Sequence, residues 1–228
     1  MQPFCFSSSS SSPLLLVLLL LLLLLLRRLY LGTERQLQAA VAALVGGDKI
    51  AFYGCEFHGF QDTLCDFLGR HYFQRCLVRG GVDFVFGYGQ SVYDDCALVS
   101  DMPPGPGAQP GWVTAHARRG AGSPGGLVFR GGAVRGTGHV YLGRAWNALA
   151  TVVFYRTRMD DVVVPKGWQP WHAGTDVSGV TFAEAECTGP GSETSGRVDW
   201  EKHLSGEELE RFVDIKFIDD DGWLSNQP

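Results

Sequence analysis

No Cys-x-x-Cys pair occurs in this chain of 228 residues, and its six histidines show no ligand spacing. A metal site therefore has no support from the sequence. A basic stripe is also missing. The 19 Lys and Arg stand against 24 Asp and Glu, for a net charge of −5, and the aromatic residues do not fall among clustered Lys and Arg, which argues against nucleic-acid binding. No apolar run has the length of a comfortable membrane span. The longest unbroken one, Leu14 to Leu26, covers 13 residues between a serine tract and Arg27-Arg28. That is the length of a signal-peptide core, although the positive charge follows it and no small-x-small cleavage site is clear. Residues 1–30 are expected to be a secretory signal; the alternatives are a short membrane anchor through 14–26 or a mispredicted first exon. Cysteine is sparse and, with Cys5 set aside, odd in number. The remaining five are as consistent with a ladder of small buried thiols as with bridges, Cys76–Cys96 being the candidate pair.

What the sequence does contain is a repeat. Ala51-Phe52-Tyr53-Gly54-Cys55 is followed by Tyr72-Phe73-Gln74-Arg75-Cys76 and Val92-Tyr93-Asp94-Asp95-Cys96, so the cysteines step by 21 (76 − 55) and then 20 (96 − 76). Such a period is too short for paired-helix repeats, and the segments are rich in Phe, Tyr, Val and Gly rather than Ala, Glu and Lys. Thirty glycines fit a turn-rich β protein. The expected fold is all-β: a right-handed parallel β-helix in which Phe52 and Cys55, three apart, share the interior only through a bend between them.

The same step relates Gln61-Asp62-Thr63-Leu64 to Asp83-Phe84-Val85-Phe86-Gly87, with the aspartates 21 residues apart (83 − 62). Stacked coils lie about 4.8 Å apart, so Asp62 and Asp83 become neighbours. Two full charges about 5 Å apart repel by roughly 3 kcal/mol at an effective dielectric near 20, on the order of two pKa units. One carboxyl should stay protonated unless a cation intervenes. The plainer alternative is two solvated turn aspartates; Phe60, Phe84 and Phe86 around them favour a partly desolvated pair.

Residues 102–126 are dense in Pro and Gly and read as a long loop or a pair of loops rimming the groove. Strand-like runs resume at Leu127-Val128-Phe129, His139-Val140-Tyr141-Leu142, Thr151-Val152-Val153-Phe154 and Val162-Val163-Val164, at longer spacings that imply insertions in the later coils. Ser205-Gly206-Glu207-Glu208 has the form of a capping box, with Leu209, Phe212 and Val213 at helical spacing, so a short C-terminal helix is expected. Leu142-Gly143-Arg144-Ala145-Trp146 sets a guanidinium beside a large aromatic, and Gly167-Trp168-Gln169-Pro170-Trp171 adds an indole pair. These suit sugar rings, or else a surface Arg and core tryptophans.

Taken together, these motifs closely resemble the plant-type pectinesterases (pectin methylesterases), over Gln36 to Pro228. Three matches in the right order and at the 21-residue interval are far more specific than any one. The resemblance implies hydrolysis of the C6 methyl ester of galacturonosyl residues in pectin, outside the cell in the wall, by a monomer without cofactor. A proteinaceous pectinesterase inhibitor is an implied partner. It gives Asp83 the role of nucleophile and Asp62 that of acid and then base. Gln61 becomes the oxyanion donor and Arg144 the cation that keeps Asp83 ionised. Trp146 would stack on a sugar, with Trp168, Phe60 and Phe84 as further substrate contacts.

The departures are specific. Where the family places an oxyanion-hole glutamine in Gln-Ala-Val-Ala, this chain reads Gln38-Ala39-Ala40-Val41-Ala42, which puts Ala39 at that position and Gln38 one residue early. A one-residue shift in a strand reverses the side chain. The family's upstream Gly-x-Tyr-x-Glu motif is absent, so the domain is expected to be N-terminally truncated, with an open solenoid end. The competing functions are a β-helical glycoside hydrolase or lyase on the same polymer, and a non-catalytic or inactive β-helix that binds pectin.

Overall fold

The computed structural model describes Ser7, Ser8 and residues 39–227, so Gln38 and the apolar run at 14–26 lie outside the described residues. A two-residue strand β1 (Ser7–Ser8) comes first. Five coils of three strands then follow one another: β2 (Ala43–Gly46), β3 (Ile50–Tyr53) and β4 (Glu56–His58); β5 (Leu64–Leu68), β6 (Arg70–Gln74) and β7 (Leu77–Gly80); β8 (Val82–Gly87), β9 (Gln90–Asp94) and β10 (Ala97–Asp101); β11 (Gly111–His116), β12 (Gly126–Arg130) and β13 (Ala133–Thr137); β14 (Val140–Ala145), β15 (Thr151–Tyr155) and β16 (Arg158–Met159). β17 (Trp168–Pro170) and β18 (Thr181–Ala185) begin a last, partial turn. Equivalent strands stack in parallel into three sheets, β2-β5-β8-β11-β14-β17, β3-β6-β9-β12-β15-β18 and β4-β7-β10-β13-β16, while β1 pairs antiparallel with β3. This is the right-handed parallel β-helix that the repeat predicts.

The repeat and the register agree residue by residue. Phe52 pairs with Phe73, and Phe73 with Tyr93. Their rings stack at 5.1 and 4.4 Å, and the column continues through Phe129 and Phe154 at 4.7 and 4.5 Å. The bend required between Phe52 and Cys55 is a left-handed residue at the same corner of every coil: Gly54, Arg75, Asp95, Gly131, Arg156 and Glu186 all have φ between 50° and 65°. One such residue reverses the pleat and turns the next side chain inward. Cys76 and Cys96 are consequently buried, with thiols donating to the carbonyls of Phe52 and Phe73 in the preceding coil at 3.5 and 3.4 Å. Cys65, Cys76, Cys96 and Cys187 are free thiols, so Cys76 and Cys96 are rungs of a ladder and not a bridge.

A polar group the sequence did not announce sits at the next corner. Asp66, fully buried, accepts from Tyr93 Oη at 2.7 Å and lies 2.5 Å from His71 Nδ1, while His71 Nε2 lies 2.7 Å from the Gly47 carbonyl. With acceptors at both ring nitrogens, the imidazole is held as a cation. Its pKa is raised despite burial, chiefly by the Asp66 charge, and Asp66 is lowered despite burial by His71. Gly89 is required here, because a Cβ on it would stand 2.0 Å from Asp66 Oδ1.

The later coils choose between the readings offered for one segment and correct the reading of another. The Pro/Gly-rich segment 102–126 is two loops separated by β11, and Val162–Val164 contributes only a bridge between Val140 and Val163. The predicted capping box is present: Ser205 Oγ accepts from the Glu208 amide, and the Glu208 carboxylate accepts from the Ser205 amide. It opens α1 (Gly206–Val213), followed by α2 (Lys216–Asp219). Leu209, Phe212, Phe217, Ile218 and Trp223 cover the outer face of the second sheet at Tyr72, Val92, Val128 and Val153. Arg70 pins this tail to the second coil, pairing with Asp48 at 2.7 Å and with Asp220 at 2.8 Å.

Candidate active site

Gln61 bridges Ala39 on one side and Val82 on the other, and the Asp62 amide donates to the Val82 carbonyl at 3.0 Å. One step further in register, Asp62 stands over Asp83. Both aspartates have left-handed backbone, with φ of 58° and 48°. This conformation is uncommon for residues other than glycine and costs on the order of 1 kcal/mol or more each, so the surrounding coils must over-determine it. At Asp83 the cause is a β-bulge. Val82 pairs with Trp112 and Val85 with Thr114, so Asp83 and Phe84 stand opposite the single residue Val113. The extra residue aims Phe84 into the core and frees Asp83 to meet a partner two coils away.

That partner is Arg144 on β14, whose Nε donates to Asp83 Oδ1 at 2.8 Å while Nη2 donates to Oδ2. The guanidinium is clamped between two indoles, 4.1 Å from the ring centroids of both Trp112 and Trp171. Trp112 is itself fixed by Nε1–H donating to Gln169 Oε1 at 2.8 Å. Each cation–π contact contributes about 0.5–2 kcal/mol, and together they hold the fork in the one plane that gives a bidentate grip.

Burial raises the pKa of Asp83, and the hydrogen bonds and charge of Arg144 oppose that rise. Asp62, half-buried, is raised by desolvation and by the Asp83 charge, and Arg144 reaches it only through space. The asymmetry decides the order of titration: the carboxyl with the guanidinium ionises first, and its negative charge helps keep the other protonated. Two stacked carboxyls are thereby made unequal, one gripped by a guanidinium and the other not.

The remaining residues singled out in the sequence divide. Trp146 lies on the same face, its ring 5.1 Å from Tyr88 and 6.2 Å from Trp171. Phe60 is half-buried against the core, its carbonyl accepting from the Gly81 and Val82 amides at 2.7 and 3.0 Å. Trp168 and Phe84 are corrected: they are 1% and 0% exposed, members of the core, and neither presents a ring face to a sugar. Trp168 enters the interior because it pairs with Gly143, which has no side chain to exclude it. Ala39, in the segment that departs from the family's glutamine motif, bridges Gln61.

Trp112 is absent from the residues the sequence singles out, and Trp171 figures there only as a member of the 168/171 indole pair. For Trp171 the signal was available: Arg144 pairs with Gln169 and Ala145 with Pro170, so the next step sets Trp171 beside Trp146. Trp112 sits in the segment read as loop, and nothing in its immediate neighbours marks it.

Residues 30–221 match the family model described as Pectinesterase. Among similar proteins, Probable pectinesterase 29 of Arabidopsis thaliana is 44% identical over 192 residues, covering 83% of this chain and 56% of its own length. Probable pectinesterase 55 of the same plant is 45% identical over 190 residues, covering 83% and 57%. The chain thus spans little more than half the length of these relatives. Of solved structures, the pectin methylesterase from carrot superposes with a TM-score of 0.76 at 33% identity, over 82% of this chain and 62% of that one. Sequence motifs, register and coil geometry agree with these matches, and the chain belongs to the pectinesterase family.

Proposed function

We propose that this protein is a carboxylic ester hydrolase that removes methyl esters from homogalacturonan pectin, acting outside the cell. The observation that carries the reading is the bidentate Arg144–Asp83 pair beneath the half-buried Asp62. Ionised Asp83 attacks the C6 carbonyl, and the carbonyl oxygen takes the displaced electron pair beside the Gln61 amide. When the tetrahedral intermediate collapses, the bond to the methoxy oxygen breaks and Asp62 protonates it, releasing methanol and leaving an acyl group on Asp83. Asp62, now a carboxylate, takes a proton from water. The resulting hydroxide attacks the acyl carbon, the bond to Asp83 breaks, and a galacturonate carboxylate departs. No cofactor enters these steps.

Incubation with highly methylated pectin tests the reading. Methanol release without new reducing or unsaturated ends is expected. New chain ends would indicate cleavage of the glycosidic bond instead and overturn it.

A further inference from the structure

Both rings that hold the Arg144 guanidinium depend on one stretch of three residues, Gln169-Pro170-Trp171. Trp171 belongs to it. Trp112 is tied to it, because its Nε1–H donates to Gln169 Oε1 at 2.8 Å, a bond between residues 57 apart in the chain. Gln169 lies on β17 and Trp112 on β11, with β14 between them, so the bond spans two strand spacings, about 9–10 Å. The register shows how it crosses: Gln169 pairs with Arg144, and Trp112 pairs with Tyr141. Between those two residues of β14, Leu142 is turned into the core and Gly143 has no side chain. The outer surface of β14 is therefore bare where the two long side chains meet over it. Tyr141 stacks on Trp112 at 6.1 Å with an interplanar angle of 12°. Stacking fixes the plane of the indole but leaves it free to slide within that plane, whereas a hydrogen bond fixes its place.

We propose that Gln169 is a positioning residue: through Trp112 it orients Arg144 and so sets the grip on Asp83, without touching the reacting atoms itself. The consequence for turnover rests on the esterase reading. Pro170 stands between the two holds, and its fixed φ keeps them in one relation, so a single segment of the last turn sets both jaws of the clamp. The bond is only partly buried. In its absence water can take the indole N–H, at little cost in stability but without a fixed direction.

The test follows the titration of the Asp83 carboxyl by carbon-13 NMR, with the signal assigned by its loss in Asp83→Asn. Burial raises this group and Arg144 opposes the rise, so Gln169→Leu should move its midpoint to higher pH while leaving circular dichroism unchanged. Trp112→Phe, which keeps a ring and removes the N–H, should move it the same way. Adding Gln169→Leu to Trp112→Phe should move it no further, because the relay is already broken. In methanol release, Gln169→Leu should lower kcat/KM about 5-fold, the worth of about one hydrogen bond, and its acid limb should shift with the NMR midpoint. An unmoved midpoint in Gln169→Leu would refute the proposal, and additive shifts in the double variant would refute the route through Trp112. A wild-type protein that releases no methanol, with the midpoints moving as expected, would sink the esterase reading and leave the Gln169 relay standing.

Discussion

The first three coils and the later ones are built differently, and the site needs both. From β2 to β10 the chain keeps its step of 20 or 21 residues, and this regular part supplies Gln61, Asp62 and Asp83 at stacked positions. Beyond β10 the coils carry loops of unequal length, and this part supplies Arg144, Trp112 and Trp171. A strict repeat gives two carboxyls in the same setting. Only a departure from the repeat can make them unequal. The inequality of the two carboxyls arises from setting an irregular half of a solenoid against a regular one.

The largest expected effect breaks the regular half at its reactive group. Asp83→Asn keeps the shape and removes the proposed nucleophile, so methanol release should fall by at least about 10³-fold while far-UV circular dichroism is unchanged. Retained turnover would transfer the nucleophile's role elsewhere.

Next comes a break in the regular half that spares the chemistry. Asp66→Asn leaves His71 as a buried cation without its counter-charge, and urea unfolding should show a loss of about 3 kcal/mol. The pH dependence has a defined sign. Because the Asp66 pKa is lowered on folding, its contribution is lost as pH falls through that lowered value; because His71 is raised, its contribution is lost as pH climbs through the raised value. The pair's stabilisation is full between about pH 4 and 6.5. The variant should show a flatter stability curve at both ends, and an unchanged curve would mean that the pair is not charged.

The smallest effect sharpens the comparison from the irregular half. Trp171→Ala removes one jaw of the clamp on Arg144 and should cost about 1 kcal/mol, roughly 5-fold in kcat/KM. With Arg144 less firmly held, the Asp83 pKa should rise, so the acid limb of the pH–rate profile should move to higher pH. A change in KM alone, with the limb unmoved, would confine Trp171 to sugar contact.

These differences also explain what was legible in the sequence. The Asp62–Asp83 stacking, the Cys ladder and the coil corners could be read because a fixed period converts sequence distance into spatial contact. The capping box at Ser205 could be read because it is local. Trp112 and the β11 strand could not: insertions break the period, and the Pro/Gly content of 102–126 masks six strand residues between two loops. Trp168 rather than Trp171 is named from the sequence as a sugar contact because a Trp-x-x-Trp spacing does not say which indole faces inward until its partner strand, with Gly143, is known. The Asp66–His71–Tyr93 group has no motif, since its members meet through two coils and a corner.

The clamp on Arg144 makes Asp83 a sensor of the solenoid's far end. Its guanidinium is immobilised by rings from β11 and from the residue just after β17, so the orientational entropy that Asp83 does not lose on meeting a substrate was already lost when those coils wound up. Solenoids fray from their ends, coil by coil. Unwinding of the last turn would release Trp171 and loosen the fork while Asp62 and Asp83 stayed in place, so catalysis would fail before the aspartate-bearing coils unfolded.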